Sequence, residues 1–208
     1  MSEAPTIFVV DDDDAVRGSL ELTLRLAGLR VESFASAQAM LQAFDPDRPG
    51  CLLLDQRMPG MSGLELQRAL IERGSTLPVI FLSAYGDVPT TVLAVKRGAL
   101  DFLEKPVSKE RLLSRIEEAL AQDRQQREAA ATHRGLRARL GRLTAREREV
   151  MRLATRGLAN KEIARRLGIS PRTVENHRAR LMQKLQAEGI AELCQIAAAA
   201  WGDPGAPA

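Results

Sequence analysis

The chain predicts an open α/β domain, a parallel five-stranded sheet with helices on both faces, followed by a small all-α domain. Three observations carry this. Short apolar runs bounded by turn residues alternate with segments of helical period through the first 121 residues. From about residue 140 only helical periods remain. The charge divides in the same way: residues 1–121 carry 13 Lys/Arg and 18 Asp/Glu, net −5, and residues 122–208 carry 17 and 9, net +8. Such asymmetry suggests two domains, the second facing a polyanion or merely presenting a solvated basic surface.

The elements follow in order. Thr6–Val10 is β-branched and aromatic, and it runs into Asp11-Asp12-Asp13-Asp14. Residues 15–27 repeat apolar side chains at Val16, Leu20, Leu24 and Ala27, then stop at Gly28. Arg30–Phe34 alternates as a strand, and 36–44 reads as a short helix. Leu52-Leu53-Leu54 is wholly apolar, as suits a strand buried on both faces, and ends at Asp55. A loop broken by Pro59 and Gly60 leads to Ser62, whose capping box with Glu65 opens a helix over 63–72. The strand 77–82 ends at Ser83, a helix is expected over 87–97, the strand 99–103 ends before Lys105-Pro106, and 108–121 is the last helix of this half.

In a flavodoxin-like sheet of order 2-1-3-4-5 the first and third strands are neighbours, and ligands bind at the carboxyl ends beside that switch point. The order brings Asp11, Asp12, Asp55, Ser83 and Lys105 to one edge. Three converging carboxylates would require a cation, and two carboxylates plus a carbonyl suit Mg²⁺. Such a metal would draw a phosphoryl group to Asp55, which would act as nucleophile, with Lys105 and Ser83 serving the phosphoryl oxygens. Each residue also has a plainer reading. A strand-end Asp often caps a helix, especially Asp13 or Asp14, a Lys before Pro is often a loop residue, and a strand-end Ser often forms a turn. The set is harder to explain that way.

The motifs VVDDDDAVR, LLLDQRMPGMSG, FLSAYGDVP and DFLEKP resemble the receiver domain of two-component response regulators over about residues 5–121. The resemblance implies Asp55 as phosphoacceptor and Mg²⁺ held by Asp12, Asp55 and the Arg57 carbonyl, with Asp11 acting through water. It implies that Ser83 and Lys105 contact the phosphoryl group, that Phe102 is the aromatic switch residue, and that the Lys105–Pro106 bond is cis. Ser83 stands where many members have Thr and keeps the hydroxyl. Asp13 and Asp14 receive no role.

Residues 122–139 are polar and rich in Arg and Ala without a clear apolar face, so a helical or flexible tether is expected. His133 within it reads as solvated. In the basic half, Thr144 and Glu147 form another capping box, and Gly157 ends that helix. Asn160 reads as the cap of a helix over 161–167, Gly168-Ile169 as a tight turn, and Ser170-Pro171 as the start of a third helix reaching about Gln186. A fourth spans 190–200. A short helix, a Gly-containing turn and a longer helix form a helix-turn-helix. On the third helix Val174, Leu181 and Leu185 share one side, with His177 beside them as a packing residue. Arg172, Asn176, Ala179 and Gln183 share the other, flanked by Glu175 and Arg180. Asn, Glu and Arg can read base edges or grip phosphates, although any amphipathic helix has a polar face.

The segment beginning LTAREREVMRLATRGLANKEIARRLGIS and continuing PRTVENHRARLMQKL resembles the LuxR-type DNA-binding domain in its FixJ-like branch. This implies a recognition helix over 172–184, with Arg172, Thr173, Glu175, Asn176, Arg178, Ala179, Arg180 and Lys184 as candidate contacts to double-stranded DNA. It also implies a homodimer on DNA, with the fourth helix taking part.

The expected organisation is a receiver over 1–121, a linker over 122–139, a DNA-binding domain over 140–203 and a disordered tail over 204–208. Cys51 and Cys194, far apart and in apolar surroundings, suit reduced thiols. No apolar run of about 18 residues and no basic leader is present, so a cytoplasmic protein without a membrane span is expected. The expected function is a response regulator and transcription factor, not an enzyme. A histidine kinase would phosphorylate it, RNA polymerase is an expected partner, and activation is expected over repression. The rival reading is a dehalogenase-type phosphatase using Asp11 and Asp13, which leaves Asp55 unexplained. A receiver serving only as a phosphorylation-independent dimerisation module is a third.

Overall fold

A computed structural model describes residues 4–84, 94 and 96–201 of the chain, which divides into two compact units, 1–128 and 129–208. In the first unit, β1 (Thr6–Val10), β2 (Arg30–Phe34), β3 (Gly50–Asp55), β4 (Val79–Ser83) and β5 (Asp101–Glu104) form one parallel sheet in the order β2-β1-β3-β4-β5. Helices α1 (Asp14–Leu26), α2 (Ala37–Ala43), α3 (Gly63–Glu72) and α4 (Lys109–Gly141) accompany it. The helix expected over 87–97 lies largely outside the described residues, as does the 204–208 tail.

The sheet is apolar on both faces because alternate residues of each strand serve opposite cores. Phe8, Val10, Leu52, Leu54 and Phe81 pack with Met40 and Leu41 of α2 and Leu66 and Leu70 of α3. Ile7, Val9, Leu53, Ile80 and Leu103 pack with Leu20 and Leu24 of α1 and Leu112 and Ile116 of α4.

Two strand starts moved from the sequence expectation. β3 begins at Gly50, before the leucine run, because a Cβ at that residue would stand 1.8 Å from the Thr6 carbonyl oxygen, so only glycine lets the two strands meet there. β4 begins after Pro78, which has no N–H for the ladder; its carbonyl accepts from the Leu52 N–H at 2.9 Å.

The stretch read as a tether is helical, and its first turns belong to the first unit. Asp123 is only 2% exposed. Its carboxylate accepts from the Gly50 N–H at 3.0 Å and from Arg127 Nε at 2.9 Å. Arg127 also donates to the carbonyls of Pro46, Asp47 and Arg48. Apolar periodicity does not register a buried pair of this kind.

The second unit holds α5 (Ala145–Ala154), α6 (Asn160–Leu167), α7 (Pro171–Leu185) and α8 (Ile190–Trp201) around Val150, Met151, Ile163, Val174, Leu181, Leu185 and Leu193. Leu136 and Leu140 of α4 pack against this core. The Thr144–Glu147 capping box is present. Gly168 takes the left-handed conformation (φ 64°) that turns the chain toward Ser170, the cap of α7. Asn160 does not cap its helix. It is the first helical residue, and its carboxamide oxygen instead accepts from Arg178 Nη1 at 2.8 Å. Among the described residues no helix is long and apolar enough to cross a membrane.

Candidate functional site

Strand register assembles the polar edge of the sheet. Val10 pairs with Leu54, so the next residues, Asp11 and Asp55, emerge side by side. Ser83 pairs with Glu104, and the Lys105 N–H donates to the Ser83 carbonyl at 2.7 Å, which delivers Lys105 to the same place. Lys105 Nζ then lies 2.5 Å from Asp55 Oδ1 and 2.7 Å from Asp11 Oδ2. Asp55 Oδ2 accepts from the Arg57 N–H at 2.7 Å, and Asp11 Oδ1 from the Asp13 N–H at 3.0 Å. Asp11 and Asp55 are 2% and 8% exposed. Three groups separated by 94 and 50 positions in the chain meet at one point.

Burial is the largest influence on Asp55 and pushes its carboxyl above the ordinary range, against the Lys105 and Arg57 hydrogen bonds that favour the anion. Burial also works against the Lys105 ammonium, but hydrogen bonds to both carboxylates outweigh it and hold the ammonium above its ordinary value. The lysine is served by two anions, whereas Asp55 shares its cation with Asp11.

Asp12 is exposed, and among the described residues no cluster of three acidic, His or Cys side chains is arranged to hold a metal. The two buried carboxylates converge on Lys105, which relieves their repulsion. The donors still suit a hard divalent ion, because Mg²⁺ takes one or two carboxylates and keeps several waters. The family resemblance implies Asp12, Asp55 and the Arg57 carbonyl as that set.

Phe102 is half-buried and stacks on Phe81, with ring centroids 6.0 Å apart. The Lys105–Pro106 bond is cis. Asp13 is the cap of α1, its carboxylate accepting from the Ala15 and Val16 N–H groups, which is the plainer role foreseen for it. Two contributors went unread in the sequence. The Ser83 hydroxyl donates to Gln56 Oε1 at 2.6 Å, and Arg17 Nη1 donates to the Asp11 carbonyl at 2.7 Å. Arg17 sits six residues past Asp11, a spacing that a helix starting at Asp14 could have suggested.

In the second unit α7 presents Arg172, Glu175, Asn176, Ala179, Arg180 and Gln183 to solvent, and Val174, Leu181 and Leu185 to the core. The remaining candidates have partners within the unit. The Thr173 hydroxyl meets Ser170 Oγ at 2.8 Å, Arg178 meets Asn160, and Lys184 Nζ lies 2.7 Å from the buried Glu147 carboxylate. His177 is half-buried beside the core face. Exposed Lys161, Arg165 and Arg166 on α6 add positive charge that the reading of α7 alone overlooked.

Residues 7–117 match the family described as "Response regulator receiver domain", and residues 141–197 match "Bacterial regulatory proteins, luxR family". The chain is 44% identical over 197 residues to the transcriptional regulatory protein FixJ of Azorhizobium caulinodans, covering 95% of this chain and 93% of that one. It is 42% identical over 193 residues to the response regulator protein TodT of Pseudomonas putida, covering 93% and 85%. Among solved structures it is similar to the response regulator StyR, with TM-score 0.89, 45% identity and coverage of 93% and 98%. Full-length FixJ from B. japonicum follows with TM-score 0.58, 41% identity and coverage of 96% and 98%.

Proposed function

Because the chain belongs to the FixJ-like response regulators, which join a receiver domain to a LuxR-type DNA-binding domain, we propose that it is a transcription factor switched by phosphorylation of Asp55. A sensor histidine kinase is the donor. An Asp55 carboxylate oxygen attacks the phosphorus of the donor phosphohistidine, the P–N bond breaks, and the electron pair returns to the imidazole. Asp12, Asp55 and the Arg57 carbonyl, with Asp11 behind them, would hold Mg²⁺, which when bound would neutralise phosphoryl charge. Lys105 supplies a fixed positive charge on the other side of Asp55.

The observation that carries this reading is the convergence of Lys105 on the buried Asp11 and Asp55 carboxylates at the carboxyl edge of the sheet. A phosphoryl group adds about two negative charges. It competes for Lys105 and for the Ser83 hydroxyl now held by Gln56, and drawing Ser83 away from Gln56 disturbs the packing around Phe81 and Phe102. The receiver, 1–121 with the first turns of the following helix, is the input, and the basic C-terminal unit is the output. The phosphorylated protein acts as a homodimer on promoter DNA in the cytoplasm, engages RNA polymerase and activates transcription. Its chemistry resets a switch and turns over no substrate of its own.

The test is incubation with acetyl phosphate and Mg²⁺, mapping of the acid-labile phosphate, and measurement of promoter affinity. The expected result is label on Asp55, none in Asp55→Ala, and tighter DNA binding on phosphorylation. Label on Asp11, or rapid turnover of phosphomonoesters, overturns the reading in favour of a phosphatase. Unchanged DNA affinity would make the receiver a phosphorylation-independent dimerisation module.

A further inference from the structure

Ser83 and Lys105 are the two side chains expected to meet a phosphoryl group on Asp55, and their capacities as donors differ. The Lys105 ammonium carries three N–H donors. Asp11 and Asp55 take two of them, at 2.7 Å and 2.5 Å, which leaves one for a phosphoryl oxygen. The Ser83 hydroxyl has a single hydrogen, and Gln56 Oε1 takes it at 2.6 Å. Ser83 is 1% exposed at the end of β4. Its contact with Gln56 must therefore break before the hydroxyl can serve a phosphoryl oxygen, whereas the Lys105 contacts need not.

The acceptor works from a fixed base. The Gln56 N–H donates to the Leu82 carbonyl at 3.1 Å, and the Gln56 carbonyl accepts from the Gly63 N–H at 3.0 Å. These two bonds hold the backbone of residue 56 between β4 and the start of α3. The side chain is also able to let go. Gln56 is half-buried, so its oxygen can turn to water once the hydroxyl leaves, and no polar group is stranded. A phosphoryl oxygen offers the stronger, charge-assisted bond. One neutral acceptor and one charged acceptor thus contend for a single hydrogen.

We propose that Gln56 is a positioning residue of the switch, a latch that withholds the Ser83 hydroxyl from the phosphoacceptor edge until a phosphoryl group competes for it. Gln56 thereby sets how strongly the resting receiver resists the phosphorylated arrangement. The inference rests on Asp55 as the phosphoacceptor. Its sign is distinctive: removing the acceptor should ease the phosphorylated arrangement, whereas removing a residue needed only for packing would impair it. Gln56→Leu removes the acceptor and keeps a side chain of similar bulk.

Fluoroberyllate, a mimic of the phosphoryl group, is titrated with Mg²⁺ into the full-length ¹⁵N-labelled protein. Gln56→Leu is expected to bind it about 5-fold more tightly than the unmutated chain, the worth of one hydrogen bond. Ser83→Ala has no hydroxyl to withhold and should bind it more weakly, and adding Gln56→Leu to Ser83→Ala should bring no gain. In the unmutated chain the Gln56 side-chain amide signals should shift on binding, and in Ser83→Ala they should move far less. That comparison needs no substitution at Gln56 and decides the matter if Gln56→Leu fails to fold. Equal or weaker binding by Gln56→Leu, the same gain without the hydroxyl, or equal amide shifts in both chains overturns the proposal. Acetyl phosphate labelling separates the two readings. Absence of label on Asp55 of the unmutated chain overturns the phosphoacceptor reading and the latch together, whereas label on Asp55 with no gain in Gln56→Leu overturns the latch alone.

Discussion

Gly63 sets how closely α3 approaches the end of β3. A Cβ there would stand 2.3 Å from the Asp55 carbonyl oxygen and 3.0 Å from the Phe81 ring, while the Gly63 N–H donates to the Gln56 carbonyl at 3.0 Å. Gly63→Ala is therefore expected to destabilise the protein by about 1–3 kcal/mol through overpacking. The folded fraction should also accept phosphate from acetyl phosphate more slowly, because Asp55 must shift; urea unfolding and a phosphorylation time course check the two effects. Asp55→Asn should accept no phosphate at this edge while keeping the fold, seen as an unchanged circular dichroism spectrum without acid-labile label. Asp55, Asp11 and Lys105 were legible in the sequence because each ends a recognisable strand. Gly63 read only as the start of a helix, since its close approach to β3 exists only once the two elements pack.

Helix α4 shows how a polar sequence can be part of a core. Asp123 and Arg127 are one helical turn apart, and together they hold Gly50 and the carbonyls of residues 46–48. Arg127→Ala would leave the Asp123 carboxylate buried without its cation, and a loss of about 3–5 kcal/mol is expected in urea unfolding. Glu147 plays the matching part in α5. Burial alone would raise its carboxyl, but Lys184 and the Thr144 groups outweigh that and hold it below the ordinary range. With the folded value depressed, the unfolded chain binds the proton more tightly. The stabilisation is thus complete above the ordinary value of 4.5 and is lost as pH falls through the depressed one. Glu147→Gln should lower stability at neutral pH by about 1–3 kcal/mol, and its Tm should converge on that of the unmutated chain as the pH is taken below the carboxylate range. Neither pair was legible in the sequence, where both acids looked like ordinary surface residues and only the Glu147 capping role could be read.

For the whole molecule the division of charge is the governing fact. The +8 of residues 122–208 suits the second unit to DNA. Side chains that face solvent and those that are tied back should behave differently there. Arg172→Ala and Arg165→Ala are each expected to weaken binding and to reduce the slope of log affinity against log salt by about 1. Lys184→Ala should cost stability more than affinity, because its ammonium serves Glu147. Fluorescence anisotropy over a salt series, beside thermal melts, separates the two. The sequence by itself determined the two units, the parallel sheet and the meeting of Asp55, Asp11 and Lys105. Hydrophobic period identifies strands, and the connectivity of a parallel sheet leaves their carboxyl ends one common edge. The tertiary structure alone decided which charges answer which. Lys105 bridging two carboxylates, Gln56 holding Ser83 and Asp123 accepting from the Gly50 N–H are contacts across distant positions, and local periodicity carries no record of them.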